Sequence, residues 1–230
     1  MSPPNETTSV FDRLPNELLL EFFTYVPLQT LIHSRGVCSK WRSLTMLSDL
    51  LPMRRRLLDL YLSVIESSVF LATRQETLSK LQTFDREQYI RNLGGSLPQF
   101  VLPEEFEFYI REWPLKAAVA WPCFKDILDH YRARNLLHPN RFADDEDVYE
   151  YDENSVVTSF RVIALELWMV DSRRYHFLVC DKTKDSPGRI HFGKVYSSHS
   201  GMYLNQGPIA GSWIEWLEQR VKEGERQTWV

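Results

Sequence analysis

The sequence predicts an α+β protein in which a small helical unit precedes a larger domain with an antiparallel sheet and flanking helices. Three observations predict it. Apolar residues recur at helical spacing from Phe11 onward through the N-terminal third. From Val156 the period shortens toward two over Val162–Val170, Tyr175–Cys180 and Arg189–Tyr196, stretches rich in β-branched and aromatic residues. A strong helix start, Ser212-Trp213-Ile214-Glu215, then opens a closing helix.

Met1 to Ser9 is polar and proline-containing, and residues 1–10 are expected to be a flexible tail with no signal peptide. The first helix follows Leu14-Pro15. Leu14, Leu18 and Phe22 recur at four-residue steps, with Leu19 and Phe23 widening the stripe. Pro15 suits the first turn, where its missing N–H has no partner to lose. Pro27 interrupts, and a second short helix carries Leu28, Leu31 and Ile32. Past Gly36 a third helix is expected to carry Val37, Trp41 and Leu44. Three short amphipathic helices have little core of their own and gain by burying an apolar face on a partner.

Past Pro52 a longer helix bears Leu57, Leu58, Tyr61, Leu62 and Ile65 as far as Glu66. The adjoining triplet Arg54-Arg55-Arg56 reads as a solvated helix face. Another helix is expected over Lys80–Leu93, closed by Gly94-Gly95. Pro103-Glu104-Glu105 is a helix start, because carboxylates favour the positive end of the helix dipole. Phe106, Tyr109, Ile110 and Trp113 form that helix's buried stripe, and Pro114 stops it. Helical character returns beyond Pro122 as far as Arg134. The acidic run from Asp144 to Glu153 lacks the spacing and turn glycine of a calcium loop, and reads as a solvated, mobile loop. Trp213, Trp216, Leu217 and Val221 form the apolar face of the closing helix.

Composition narrows the function classes. Of 230 residues, 43% are hydrophobic and 13% aromatic, enough for a sizeable packed core and against a mainly disordered chain. The formal net charge of −4 offers no basic excess for nucleic acid. No apolar stretch reaches the roughly 18 to 20 residues of a membrane span, so no membrane partner is expected. Cys38, Cys123 and Cys180 lie far apart and cannot all pair. A reducing cytoplasmic or nuclear compartment fits that usage.

No glycine-rich phosphate loop is present, since Gly94-Gly95 has no following Gly-Lys-Ser or Gly-Lys-Thr. The six histidines form no spaced zinc set with cysteine, so no cofactor or metal is expected. Cys180 and His176 are the sole candidate hydrolase pair. Their i, i+4 relation in a strand shares a face but separates them by about 13 Å. No catalytic residue is therefore assigned.

Leu14-Pro15-Asn16-Glu17-Leu18-Leu19-Leu20, Phe22-Phe23, Leu28, Leu31 and Val37-Cys38-Ser39-Lys40-Trp41-Arg42-Ser43-Leu44 together resemble the F-box family. That pattern is a Leu-Pro helix start, spaced leucines and a Val-Cys-x-x-Trp-x-x-Leu close. The resemblance implies a non-catalytic adaptor. Such a chain docks a Skp-family protein, and through it a cullin–RING ubiquitin ligase, and presents an unidentified protein substrate. Carried over by position, the docking face is Leu14, Pro15, Leu18, Leu19, Leu28, Leu31, Val37, Cys38 and Trp41, with Cys38 a small buried packing residue and Trp41 a hot spot.

Leu97-Pro98, Pro103-Glu104-Glu105-Phe106, Glu112-Trp113-Pro114-Leu115-Lys116-Ala117, Trp121-Pro122 and Ser212-Trp213-Ile214-Glu215-Trp216-Leu217-Glu218 resemble the SUKH family of the Smi/Knr type. These are α+β interaction modules found in fungal regulators and in bacterial toxin immunity. Placed behind an F-box, such a domain implies a substrate receptor; the alternative is a binding module acting outside any ligase. The expected organisation is a tail over 1–10, an F-box over 11–50, a helical connector over 51–83, a SUKH-like domain over 84–222 and a tail over 223–230.

Overall fold

The computed structural model describes residues 11, 14–68, 71–72, 75, 85–94, 99–113, 147–151, 157–161, 163–171, 174–182, 190–199, 203–204 and 207–227. The chain divides into two compact units, Met1–Asp59 and Leu60–Val230. Both helices and sheet are present in the expected order, helices first, then strands, then a closing helix, so the fold is α+β.

In the first unit α1 spans Asn16–Tyr25, α2 Leu28–Val37 and α3 Ser39–Leu47. Pro15 is the N-cap of α1, one position before the first turn. Its carbonyl takes the Leu19 N–H at 3.3 Å, and at the helix start an N–H would have no intrahelical acceptor, so the missing proline N–H costs nothing. Val26 and Pro27 end α1 in extended backbone, and Pro27 caps α2. Gly36 does not end α2, which runs on to Val37; a single extended residue, Cys38, separates α2 from α3. Val37 is thus the last residue of α2, not the first of α3. Leu19, Phe23, Leu28 and Leu31 are fully buried, and α3 packs against both α1 and α2.

Helix α4 (Pro52–Glu66) begins in this unit, and the division between the units falls within it. Its arginines are not the solvated face that their run suggested. Arg54 is only 8% exposed and donates through Nη1 to the Thr24 carbonyl at the end of α1, at 3.4 Å. Arg55 Nη2 donates to the Ser48 carbonyl at 2.7 Å and to that of Thr45 at 3.3 Å, at the end of α3. Cations are favourable beside the orphan carbonyls of helix C-termini, and the methylene stems bury cheaply.

In the second unit α5 spans Arg86–Gly94 and α6 Glu104–Glu112. The α6 stripe is as expected: Phe106, Tyr109, Ile110 and Trp113 are all buried. The helix expected from Pro122 to Arg134 lies outside the described residues.

Six strands, β1 (Asp147–Tyr151), β2 (Val157–Arg161), β3 (Ala164–Asp171), β4 (Arg174–Val179), β5 (Val195–His199) and β6 (Tyr203–Leu204), form one sheet in the order β2-β1-β6-β5-β4-β3. All neighbours are antiparallel except β1 and β6, which run parallel. Over 147–151 strand β1 corrects the mobile-loop expectation; the rest of Asp144–Glu153 lies outside the described residues. Its register against β2 (Tyr149 opposite Ser159) and β6 (Tyr149 opposite Tyr203) satisfies its backbone, whatever its acidity. The third expected strand, Arg189–Tyr196, also shifts. Gly193 adopts φ 75°, a left-handed turn, and strand structure begins only at Val195.

Helix α7 spans Trp213–Gln227, running past the expected boundary at residue 222. The capping box forms in a modified way. Ser212 Oγ accepts the Glu215 N–H at 3.3 Å, while Glu215 Oε2 accepts from Gly211 N–H at 2.8 Å, one residue before the N-cap. A second carboxylate comes from α6: Glu105 Oε2 accepts the Ile214 N–H at 3.1 Å. Phe106 and Tyr109 then meet Trp213 edge-on, at 4.9 and 5.4 Å between ring centres, and Trp213 stacks on Trp216 at 5.2 Å.

Candidate functional site

The nine residues expected to form one docking face fall into three groups. Leu19, Leu28 and Leu31 have no exposed surface and serve as core. Pro15, Leu18 and Val37 face solvent, with Leu18 50% and Val37 61% exposed. Leu14, Cys38 and Trp41 are half-buried between the two sets. Cys38 therefore keeps some surface, contrary to the expected burial.

Helix phase produces this division. At about 100° per residue, Leu19 and Phe23 lie on one side of α1, and Leu18 and Phe22 lie roughly a third of a turn away. Both rows are apolar, so the sequence shows one broad stripe where the folded unit has an inner row and an outer row. The outer row was not fully anticipated: Phe22 is 42% exposed and Tyr25, one turn further on, 77%. The i, i+4, i+7 spacing of Leu18, Phe22 and Tyr25 was the signal available for it.

Trp41 is held from two sides. Phe23 and Phe11 both meet its ring edge-on, at 5.4 and 5.9 Å between centres. Its indole N–H is buried without a partner among the described residues. Trp41 thus anchors α3 to α1 and presents only part of its ring. Lys40 ties the same region down from outside, its Nζ donating to the Leu14 carbonyl at 3.4 Å. The Leu-Pro start and the Val-Cys-x-x-Trp segment, distant in sequence, are thereby joined in one unit.

The candidate hydrolase pair is not assembled. Cys180 is completely buried; its Sγ donates to the Leu178 carbonyl at 3.5 Å, and burial pushes its thiol pKa up. A nucleophilic thiol needs the opposite shift. His176 is turned toward α7, where its Nδ1 accepts the Trp216 Nε1–H at 3.1 Å. Among the described residues, no group of three or more His, Cys, Asp or Glu side chains is placed to hold a metal. No helix among them is long and apolar enough to cross a membrane.

No curated protein and no solved structure matches the chain. Residues 11–51, the segment carrying α1 to α3 and the outward row of Pro15, Leu18 and Val37, match the F-box-like family model.

Proposed function

We propose that the chain is the substrate-recognition subunit of a Skp–cullin–F-box ubiquitin ligase. The observation that carries this is the coincidence of the F-box-like match with an outward apolar surface on the matched helices. A soluble helical unit seldom leaves Leu18, Phe22, Tyr25 and Val37 all exposed without a surface to cover them. The docking face consists of the outward members Pro15, Leu18 and Val37, flanked by Leu14, Cys38 and Trp41. Leu19, Leu28 and Leu31 hold the helices that present it. The chain works by proximity: it binds the Skp-family adaptor with one unit and a target protein with the other, raising the ligase concentration near that target. No covalent step is asked of its own residues, and the compartment is cytoplasmic or nuclear.

The receptor in this proposal is a SUKH-like unit over residues 84–222. What supports that likeness is the meeting of its separate motif segments, Glu105 with Ile214 and Phe106 with Trp213.

Affinity purification of the tagged full chain, read by mass spectrometry, tests the proposal. The wild type is expected to carry a Skp-family protein and a cullin. A Leu18→Asp/Val37→Asp variant should lose both while keeping its helical content. A wild-type preparation with neither would refute the ligase role, leaving a ligase-independent binding module if other proteins are still captured.

A further inference from the structure

The docking face is spread over three helices: Leu18 stands on α1, Val37 at the end of α2, and Cys38 and Trp41 at the start of α3. Its shape therefore depends on the angle between α1 and α3. At its start α3 is tied to α1 by Lys40 on the Leu14 carbonyl and by Trp41 against Phe23. The end of α3 is held from a helix outside the family match. That match stops at residue 51, where α4 begins, while the compact unit runs on to Asp59. Arg54 and Arg55 are neighbours, so their side chains leave α4 about 100° apart and reach different helices. Arg54 Nη1 donates to the Thr24 carbonyl in the last turn of α1, at 3.4 Å. Arg55 Nη2 donates to the carbonyls of Thr45 and Ser48, the last turn and C-cap of α3, at 3.3 and 2.7 Å. The Thr24 and Thr45 carbonyls are among those a helix end leaves without an intrahelical N–H. One turn of α4 thus spans the C-terminal ends of α1 and α3.

We propose that residues 52–59 are a fourth helical segment of the docking unit and that Arg54 and Arg55 are its positioning residues. They brace α1 against α3, so that Leu18 is held at a fixed angle to Val37, Cys38 and Trp41. This rests on the ligase reading, which makes a Skp-family adaptor the partner of that face. The two arginines do not touch the adaptor; they raise the share of molecules whose face already has its binding shape. A face competent in only a fraction of molecules binds with an affinity reduced by that fraction. The loss falls on association, because the contacts of the bound state, and with them dissociation, stay those of the wild type. Removing an anchor of the face does the reverse, since lost contacts show mainly in dissociation.

The test is surface-immobilised kinetics of the purified full chain on a recombinant Skp-family adaptor, in high salt so that long-range steering is screened. Arg54→Met/Arg55→Met keeps most of the buried stems and removes both sets of donors. It is expected to associate about tenfold more slowly, with dissociation within about twofold of wild type. Arg54→Lys/Arg55→Lys keeps a donor at each site and is expected to associate faster than the methionine pair. Circular dichroism and urea titration give the folded fraction of each variant, and rates are compared per folded molecule, which a change in stability alone leaves unmoved. Should the methionine pair not fold, the single variants Arg54→Met and Arg55→Met carry the same comparison. Wild-type rates for the folded methionine variants would refute the brace and leave the ligase reading standing. Faster dissociation at unchanged association would make the arginines direct contacts and overturn their positioning role. Equal association by the lysine and methionine pairs would show that donation to the helix-end carbonyls is not what shapes the face. If the wild type fails to bind the adaptor at all, the ligase reading falls and the brace loses its function with it.

Discussion

The indole N–H of Trp216 donates to Nδ1 of His176 over 3.1 Å, and both side chains are buried where α7 lies against strand β4. An indole N–H has no acceptor capacity, so the imidazole nitrogen facing it carries no proton. Strand β4 is covered here by a polar contact, while Phe177, Leu178 and Val179 beside it are simply apolar. Trp216→Phe keeps most of the packing but strands the acceptor. We expect it to cost about 1–3 kcal/mol in chemical denaturation. Long-range proton–nitrogen NMR of the wild type should show His176 with its proton on Nε2. A neutral His176 protonated on Nδ1 would contradict the contact.

The same buried environment sets an alkaline limit. Burial pushes the Cys180 thiol up, against a weaker opposing hydrogen bond from the Leu165 backbone; burial and the neighbouring Cys180 push the Tyr89 phenol up. Raised folded-state values mean that the native protein keeps protons which the unfolded chain releases, at about pH 8.5 for Cys and about 10 for Tyr. The contribution of each group is therefore whole below its unfolded pKa and shrinks as pH rises toward the folded one. Urea midpoints should fall above about pH 8.5 and fall more steeply above about 10. Cys180→Ala should remove the first part of that decline. In thiol labelling of the folded protein, half-buried Cys38 should react well before Cys180.

How much of this was legible in the sequence depends on whether the cause was local. The α6 stripe and the α7 start were readable because Phe106, Tyr109, Ile110 and Trp113 obey one period, and Ser212 and Glu215 act within a single turn. The phase of α1 was not, since Leu18 and Leu19 are the same residue type and only the position of α3 decides which is inside. Strand β1 was hidden because its own composition is acidic, and the strands that pair with it, β2 just after it and β6 more than fifty residues on, are not visible in that local composition. Arg54 looked solvated because its acceptor, the Thr24 carbonyl, lies 30 residues away.

Glu105 joins α6 to the start of α7 by accepting the Ile214 N–H, a carboxylate placed at the positive end of a helix dipole. Glu105→Gln preserves an acceptor and loses the charge, whereas Glu105→Ala loses both. Thermal unfolding should rank wild type above Glu105→Gln above Glu105→Ala, with the alanine variant about 0.5–2 kcal/mol less stable. Equal stability of wild type and Glu105→Gln would show that the charge contributes nothing beyond the hydrogen bond, and equal stability of the two variants that the hydrogen bond contributes nothing beyond the charge.

The inner and outer rows of α1 to α3 make opposite demands on stability and binding. Leu19→Ala and Leu31→Ala open cavities at fully buried positions and are expected to destabilise the protein by about 2–5 kcal/mol. Leu18→Ala and Val37→Ala remove side chains already half in water, so their stability should stay within about 0.5 kcal/mol of wild type. Binding to a Skp-family adaptor should respond the other way, weakened by the outer pair at full stability. The inner pair should bind with near-normal affinity once measured at a temperature where they remain folded. Denaturation and adaptor titration on the same four proteins decide the matter. If Leu18→Ala and Val37→Ala bind as wild type, the exposed row is not the docking face and the contact must lie elsewhere on the unit.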